Sequence, residues 1–173
     1  MYKLSNAPLL NAQQIDKRLE SLAQELEACD FDVILSVLTG SYIFTADISR
    51  RIAKPNLQIA FIRASSYGDS TTSNGKVSIS GIEKLDITNK RVLLIDDILD
   101  TGNTMKALVQ ALAELKPASI KTCVLLNKES RRTVDCHANF VGFEIEDKFV
   151  VGYGLDYAND YRTLPEIWTL EEA

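Results

Sequence analysis

No stretch of this chain approaches the ~18 consecutive apolar residues that cross a bilayer. The amino terminus, MYKLSNAPLL, lacks the long apolar core of a signal peptide. Neither membrane insertion nor secretion is expected, and a cytoplasmic location remains. Cysteine is scarce, with Cys29, Cys123 and Cys136 and no CxxC spacing. An odd, scattered set builds no disulfide framework and suits a reducing compartment. Cys123, inside an apolar run, reads as a small core residue. Basic excess is absent too: net charge is −5 and the pI about 5.0, which disfavours nucleic-acid partners and anionic membranes. A small anion remains possible where local charges and metal ions outweigh the global sign. The sole histidine, His137, lies in a polar stretch and is assigned no role. No internal repeat, linker or low-complexity tract interrupts the chain.

What is present is an ordinary globular composition, 46% hydrophobic and 25% charged over 173 residues. That length is expected to form one domain, 1–173, burying about 70% of its unfolded surface without staples. In NAQQIDKRLESLAQELEA, Ile15, Leu19, Leu22, Ala23 and Leu26 recur at helical spacing, and Asn11 with Gln14 resembles a capping box. A second helix is expected in GSYIFTADISRRIA and a third in NTMKALVQALAEL, with Pro117 marking its end. The segments DVILSVL, LQIAFIRASSY, KVSISG, RVLLIDD, SIKTCVLLN, NFVGFEI and KFVVGYGLD read as strands. GDSTTSNGK and KESRRTVDCHAN read as polar loops. Strands alternating with helices, several continuously apolar, predict an α/β fold with a mainly parallel sheet covered on both faces.

The chemistry concentrates in LLIDDILDTGNTM, Leu93 to Met105. Ligands of open α/β sheets sit at the carboxyl ends of strands, where the next helix presents its amino terminus. Gly102 lets the backbone approach a ligand, and Thr101 and Thr104 add hydroxyls beside free helix N–H groups, which makes a monophosphate cradle. It is no Walker A loop, since GxxxxGK[ST] does not occur. Three acids do not suit a phosphate and need another task. Asp96 and Asp97 end the strand, where adjacent side chains point to opposite faces. There they can accept sugar hydroxyls, directly or through a metal. Asp100, at the lip of the cradle, either caps the helix or serves a ring nitrogen as acceptor or general base. Asp-Thr-Gly also matches the aspartic-protease triplet, but that motif pairs two acids in all-β folds, and here a helix follows. A DxDxT phosphotransfer motif fails on spacing, because Thr101 lies four residues after Asp97.

Taken whole, LLIDDILDTGNTM resembles the phosphoribosyl diphosphate (PRPP) signature of the type I phosphoribosyltransferases: a hydrophobic strand, two acids, two hydrophobics, then Asp/Ala-Thr-Gly-x-Thr. VLTGSYIFTADI, SSYGDSTTSNGKV, LLNKESRR and VGFEIEDKFVVGYGLDYANDYRTLPEI extend the resemblance, over about Asp32 to Ile167, to the bacterial hypoxanthine-guanine phosphoribosyltransferases. The resemblance implies a twisted central sheet flanked by helices, a small hood and a mobile β-loop. It implies that hypoxanthine or guanine displaces pyrophosphate from PRPP to give IMP or GMP, with Mg²⁺ as cofactor and a homodimer or homotetramer as the assembly. Loss of pyrophosphate leaves an oxocarbenium-like ribose, which anionic side chains tolerate.

Carried onto this sequence, the resemblance gives Asp96 and Asp97 the ribose hydroxyls and the metal shell, and Asp156 would reach a second Mg²⁺. Asp100 would face purine N7 as general acid/base. Asp100, Thr101, Gly102, Asn103 and Thr104 would wrap the 5′-phosphate. Lys128 would contact the purine's exocyclic oxygen, Phe149 would stack on the base, and Val150 would offer backbone groups to its edge. Thr39, Gly40 and Arg162 would bind pyrophosphate, and Ser66 and Tyr67 would head the mobile loop. Outside the resemblance, Lys128 would read as a solvated cation, Phe149 as core, Ser66-Tyr67 as a strand end, and Asp156 with Arg162 as a surface ion pair. Two departures stand out. Relatives often carry a basic residue where this chain has Thr39, next to a cis peptide that would here be Leu38–Thr39. Asp96 replaces the commoner Glu. A rival reading is a regulator that keeps the fold to sense nucleotides and bind nucleic acid, but the acidic charge opposes it. Xanthine-preferring and adenine-preferring relatives are nearer rivals, and Lys128 with Phe149-Val150 favours 6-oxopurines over adenine.

Overall fold

The computed structural model describes residues 2–66 and 77–172. Three helices form where the periodicity places them: α1 (Ala12–Glu27), α2 (Tyr42–Ile52) and α3 (Asn103–Ala113). The α1 capping box is complete: Gln14 N donates to Asn11 Oδ1 at 2.9 Å and Asn11 N donates to Gln14 Oε1 at 2.8 Å. All five stripe residues of α1 are buried.

The strands are β1 (Tyr2–Leu4), β2 (Val33–Leu38), β3 (Gln58–Ser66), β4 (Val77–Ser80), β5 (Arg91–Leu99), β6 (Ser119–Asn127), β7 (Phe140–Glu144), β8 (Val150–Val151) and β9 (Trp168–Glu172). Six make one sheet in the order β4-β3-β2-β5-β6-β7, parallel except for β4. Because side chains alternate across a strand, the central strands feed two cores. Ile34, Leu93 and Ile95 pack with Leu19, Leu22, Phe44 and Ile48 of α1 and α2. Val33, Leu35, Val92 and Leu94 pack with Met105, Leu108 and Leu112 of α3. A sheet buried on both faces explains why these strands read as unbroken apolar runs.

The sheet order places the functional site. From β2 the chain steps to β3 on one side, whereas β5 lies on the other and leads on to β6 and β7. The loops that leave β2 and β5 therefore diverge and open a crevice between those strands, where α/β sheets take ligands.

A second sheet, β1-β9-β8, forms the small hood. Two of its strands carry no sequence signal, since β1 and β9 are short, half exposed and lack clean alternation. KFVVGYGLD is not one strand as expected; only Val150–Val151 is strand, and Gly152 bridges back to Leu155. Gly152, Tyr153 and Gly154 take φ of +96°, +51° and +101°, and left-handed backbone ends the extension. Of the expected mobile loop, Ser66 ends β3, and Tyr67 lies outside the described residues with the segment 67–76.

Candidate active site

A cleft of about 310 Å³ opens at the carboxyl ends of β2 and β5. Three loops meet there: Leu38–Gly40 after β2, Asp96–Thr104 at the β5–α3 junction, and the stretch holding Asp156 and Arg162. Gly40 and Gly154 make the convergence possible. A Cβ on Gly40 would lie 1.6 Å from Asp97 Oδ2, and one on Gly154 would lie 2.3 Å from the Gly40 carbonyl oxygen. Each glycine stands where a neighbouring loop needs the space of a side chain.

The first loop carries the cis peptide Leu38–Thr39. Ser41 Oγ donates to the Val37 carbonyl at 2.6 Å, and the buried Ser36 hydroxyl lies 2.8 Å from both the Ser41 and Thr45 hydroxyls. These bonds tie the loop to β2 and to the first turn of α2. Thr39 brings no charge, but the register Leu38↔Arg63 sets a β3 arginine beside it. Arg63 Nη1 donates to Thr39 Oγ1 at 3.4 Å. Arg162 Nη2 pairs with Asp156 Oδ1 at 2.9 Å, and its Nη1 donates to the Gly154 carbonyl at 2.8 Å. That pair is largely buried at the cleft wall, where each partner holds the other in place.

Asp96 is buried, and Asp97 faces the Gly40 loop. Asp97 Oδ1 accepts from Ile98 N at 2.7 Å, and Asp96 Oδ1 accepts from Asp97 N at 2.9 Å. Burial, and then the charge of Asp97 beside it, pushes the Asp96 carboxyl well above the usual carboxylate range. Burial raises Asp97 as well, against the hydrogen bonds it accepts and the Arg162 charge. The two acids repel each other and have little cationic company, so a divalent cation or sugar hydroxyls would relieve them. Asp96 and Asp97, and separately Asp156, offer only oxygen donors, which would suit hard cations that complete their shells with water and substrate. Among the described residues no group of three or more His, Cys, Asp or Glu side chains is placed to hold a metal ion by itself.

Beyond the acids, Gly102 is the N-cap of α3 with φ +89° and no side-chain cap bond. The reading of Asp100 as a helix cap is thereby excluded. Thr101 and Thr104 line the cleft wall at the start of α3, where the Asn103 N–H donates to Thr101 Oγ1 at 3.4 Å. The Asp100 carboxylate accepts instead from Arg131 Nε at 3.1 Å, and its backbone carbonyl accepts from Arg132 Nε at 3.0 Å.

Of the residues expected from the sequence, Thr39, Gly40, Asp96, Asp97, Asp100, Thr101, Gly102, Thr104, Asp156 and Arg162 line this one cleft. Asn103, the first residue of α3, does not. Lys128, Phe149 and Val150, expected at the purine, are not among the residues that line it. Lys128 is buried rather than solvated, and its backbone N–H donates to the Leu99 carbonyl at 2.9 Å, next to Asp100. Its Nζ lies 4.0 Å from Asp147, which also reaches Arg131 at 3.6 Å. Phe149 is not core: it is 53% exposed and meets the Tyr157 ring edge-on at 5.7 Å. Val150 is buried in the hood strand β8. Sequence reasoning missed Arg63, Arg131, Arg132 and Asp147. The paired arginines of LLNKESRR were in plain view, whereas only the β2–β3 register reveals Arg63.

Comparison with known proteins agrees with this geometry. A family described as the phosphoribosyl transferase domain matches residues 5–158. The chain is 44% identical to the hypoxanthine-guanine phosphoribosyltransferase of Aquifex aeolicus over 168 residues, 95% of this chain and 94% of that one. It is 41% identical to the hypoxanthine phosphoribosyltransferase of Salmonella typhimurium, covering 90% of this chain and 83% of the other. A crystal structure of a hypoxanthine-guanine phosphoribosyltransferase from Bacillus anthracis, with a HEPES molecule in its active site, superposes with a TM-score of 0.89 at 40% identity, covering 96% of this chain and 99% of that one. On the sequence, the fold and the cleft together, this chain belongs to the phosphoribosyltransferase family.

Proposed function

We propose that this chain works in purine salvage, transferring the 5-phosphoribosyl group of PRPP to hypoxanthine or guanine with release of pyrophosphate. One observation carries the reading: the glycine-capped start of α3, the acid pair Asp96 and Asp97, and a third acid, Asp100, all line one cleft. The whole chain, 1–173, acts as one phosphoribosyltransferase domain.

The residues divide the substrates between them. Backbone N–H groups and hydroxyls from Asp100 to Thr104 grip the 5′-phosphate, aided by the α3 dipole. Asp96 and Asp97 accept the ribose hydroxyls, and their negative charge lies where the sugar becomes cationic as its bond to pyrophosphate breaks. Asp100 faces purine N7 and handles its proton. Lys128 donates to the purine's exocyclic oxygen, Phe149 stacks on the ring, and Val150 presents its backbone to the edge. Thr39 and Gly40 hold pyrophosphate with Arg162, and Arg63 supplies the charge that Thr39 lacks. Asp96 and Asp97 would hold Mg²⁺ and Asp156 would reach a second Mg²⁺, which would supply neutralising charge for the leaving pyrophosphate.

The partners are PRPP, the purine bases, IMP or GMP and pyrophosphate, with neither nucleic acid nor membrane among them. No helix among the described residues is long and apolar enough to cross a membrane, and the cytoplasm is the proposed location. Tyr42, Ile59 and Phe61 are exposed, and Ile59 and Phe61 share the sheet face of Ile34 and Ser36, beside the start of α2. This apolar patch suits a second copy of the chain, as a homodimer or as half of a homotetramer.

The deciding experiment is a spectrophotometric assay with PRPP, Mg²⁺ and hypoxanthine, guanine, xanthine or adenine in turn. Turnover of hypoxanthine or guanine in preference to the others is the expected result. Preference for xanthine or adenine would revise the base assignment, and no product with any base would overturn the enzymatic reading.

A further inference from the structure

Asp100 is held at both ends by consecutive arginines. Arg132 is an anchor: its Nε donates to the Asp100 carbonyl at 3.0 Å, its Nη2 to Asn127 Oδ1 at 2.5 Å, and its Nη1 to the Cys136 carbonyl. Asn127 in turn donates to both carboxylate oxygens of Glu144 at 3.0 and 2.9 Å. Arg132 Cδ also fills the space where a Gly102 Cβ would sit, at 2.9 Å. Thr133 N donates to the Thr101 carbonyl at 3.0 Å, which extends the brace along the loop. The main chain of the acid loop is therefore fixed from behind.

Arg131 is different. It is half exposed and shared, with Nε on Asp100 Oδ1 at 3.1 Å and Nη1 3.6 Å from Asp147 Oδ2. Asp147 also lies 4.0 Å from Lys128 Nζ. One carboxylate thus touches the cation that holds Asp100 and the cation assigned to the base. Because Arg131 occupies Oδ1 of Asp100, Oδ2 is left for a ligand in the cleft. An unassisted carboxylate in this acid-rich loop would turn away from Asp96 and Asp97, toward solvent; an arginine with one fixed donor sets its rotamer.

We propose that Arg131, braced by Asp147, is a positioning residue that aims the Asp100 carboxylate at the incoming purine. The inference rests on the functional reading above, because it takes Asp100 as the group that handles the purine proton. Arg131 touches neither substrate; it acts through Asp100. Charge and side-chain reach both matter, so lysine, which retains the charge without the directed Nε donor, restores only part of the effect.

The test is a double-mutant cycle on the full chain, with steady-state kinetics for wild type, Arg131→Met, Arg131→Lys, Asp100→Asn and the Arg131→Met/Asp100→Asn pair. Misaiming a catalytic group by about 1 Å costs up to roughly 100-fold, so Arg131→Met is expected to lower kcat about 10- to 100-fold. KM for PRPP should stay within about twofold, because the phosphate cradle is braced by Arg132. Arg131→Lys is expected to recover part of kcat. In the Asp100→Asn background the Arg131 substitution should cost nothing further, since there is no carboxylate left to aim. Unchanged kcat in Arg131→Met overturns the inference, and so does an equal loss in both backgrounds or a loss confined to KM. Thermal unfolding of each variant separates these results from misfolding, and Arg131→Lys keeps the cycle readable if the methionine variant is unstable. Wild type inactive with every purine would overturn the functional reading itself, a result distinct from active wild type with an indifferent Arg131.

Discussion

Replacing Gly40 with alanine tests the convergence of loops at the cleft directly. The added Cβ would sit 1.6 Å from Asp97 Oδ2 and 2.7 Å from its Cγ, whereas ordinary contact begins near 3.4 Å. Something must therefore move by about 1.8 Å, the difference between those distances. The Gly40 loop has little room to retreat, because its carbonyl already occupies the place a Cβ on Gly154 would take, and Ser41 is bonded back to Val37. The Asp97 carboxylate is the part that gives, with loss of the 2.7 Å bond from Ile98 N. That bond is worth about 1 kcal/mol, so folding should survive with a small fall in Tm. The functional cost is larger. A carboxylate displaced by more than 1 Å from the sugar and metal should lower kcat/KM for PRPP roughly 100-fold, about 2.7 kcal/mol of transition-state stabilisation. Initial rates at varied PRPP, with saturating Mg²⁺ and hypoxanthine, measure this. Gly152→Ala is the control: its Cβ would lie 2.1 Å from the Glu166 carbonyl oxygen at φ +96°, a backbone clash away from the acids. That variant should lose Tm first. If Gly40→Ala retains wild-type kcat/KM while folded, Asp97 does not work from the position described.

Other substitutions follow from the same geometry. Lys128→Ala should raise KM for hypoxanthine at least about tenfold while KM for PRPP changes little, as for loss of one charged hydrogen bond; equal losses for both substrates would refute its assignment to the base. Arg63→Gln should raise KM for PRPP several-fold and lower its salt sensitivity, since Arg63 is the cation beside Thr39; an unchanged KM would leave the pyrophosphate loop without that cation. Away from the site, Asp32 accepts from Arg91 Nη2 and Arg91 N at 2.7 Å each, and these bonds hold its carboxyl well below the ordinary 3.8. Because its folded value is depressed, it stabilises the fold above about pH 4 and loses that contribution as pH falls further. Asp32→Asn should therefore be less stable than wild type near neutrality and converge with it in acid; a pH-independent gap in denaturant midpoints would contradict the pairing.

Local information was enough wherever the physics is local. The i, i+3, i+4 spacing of Ile15, Leu19, Leu22 and Leu26 determined α1 and its buried face, and Asn11 with Gln14 determined its start. The acid turn was legible because strand end, Gly102 and helix start are contiguous, so one 13-residue stretch carries the phosphate cradle and all three acids. KFVVGYGLD misled because its apolar residues read as a strand, while the positive φ of Gly152, Tyr153 and Gly154 turns the chain after two paired residues. β1 and β9 gave no signal because a short hood strand needs only a partner's backbone, and that partner lies at the far end of the chain.

The tertiary structure decided which distant residues complete the site. Arg63 reaches Thr39 through the β2–β3 register, across 24 positions, and Arg131 reaches Asp100 across 31. Gly40 meets Asp97, and Gly154 meets Gly40, only because β2 and β5 lie side by side at the crevice. Periodicity reports which face of an element is apolar, and motif spacing reports what one turn can hold. Neither encodes the packing that brings a cation to an uncharged threonine, or places an arginine at each end of one aspartate.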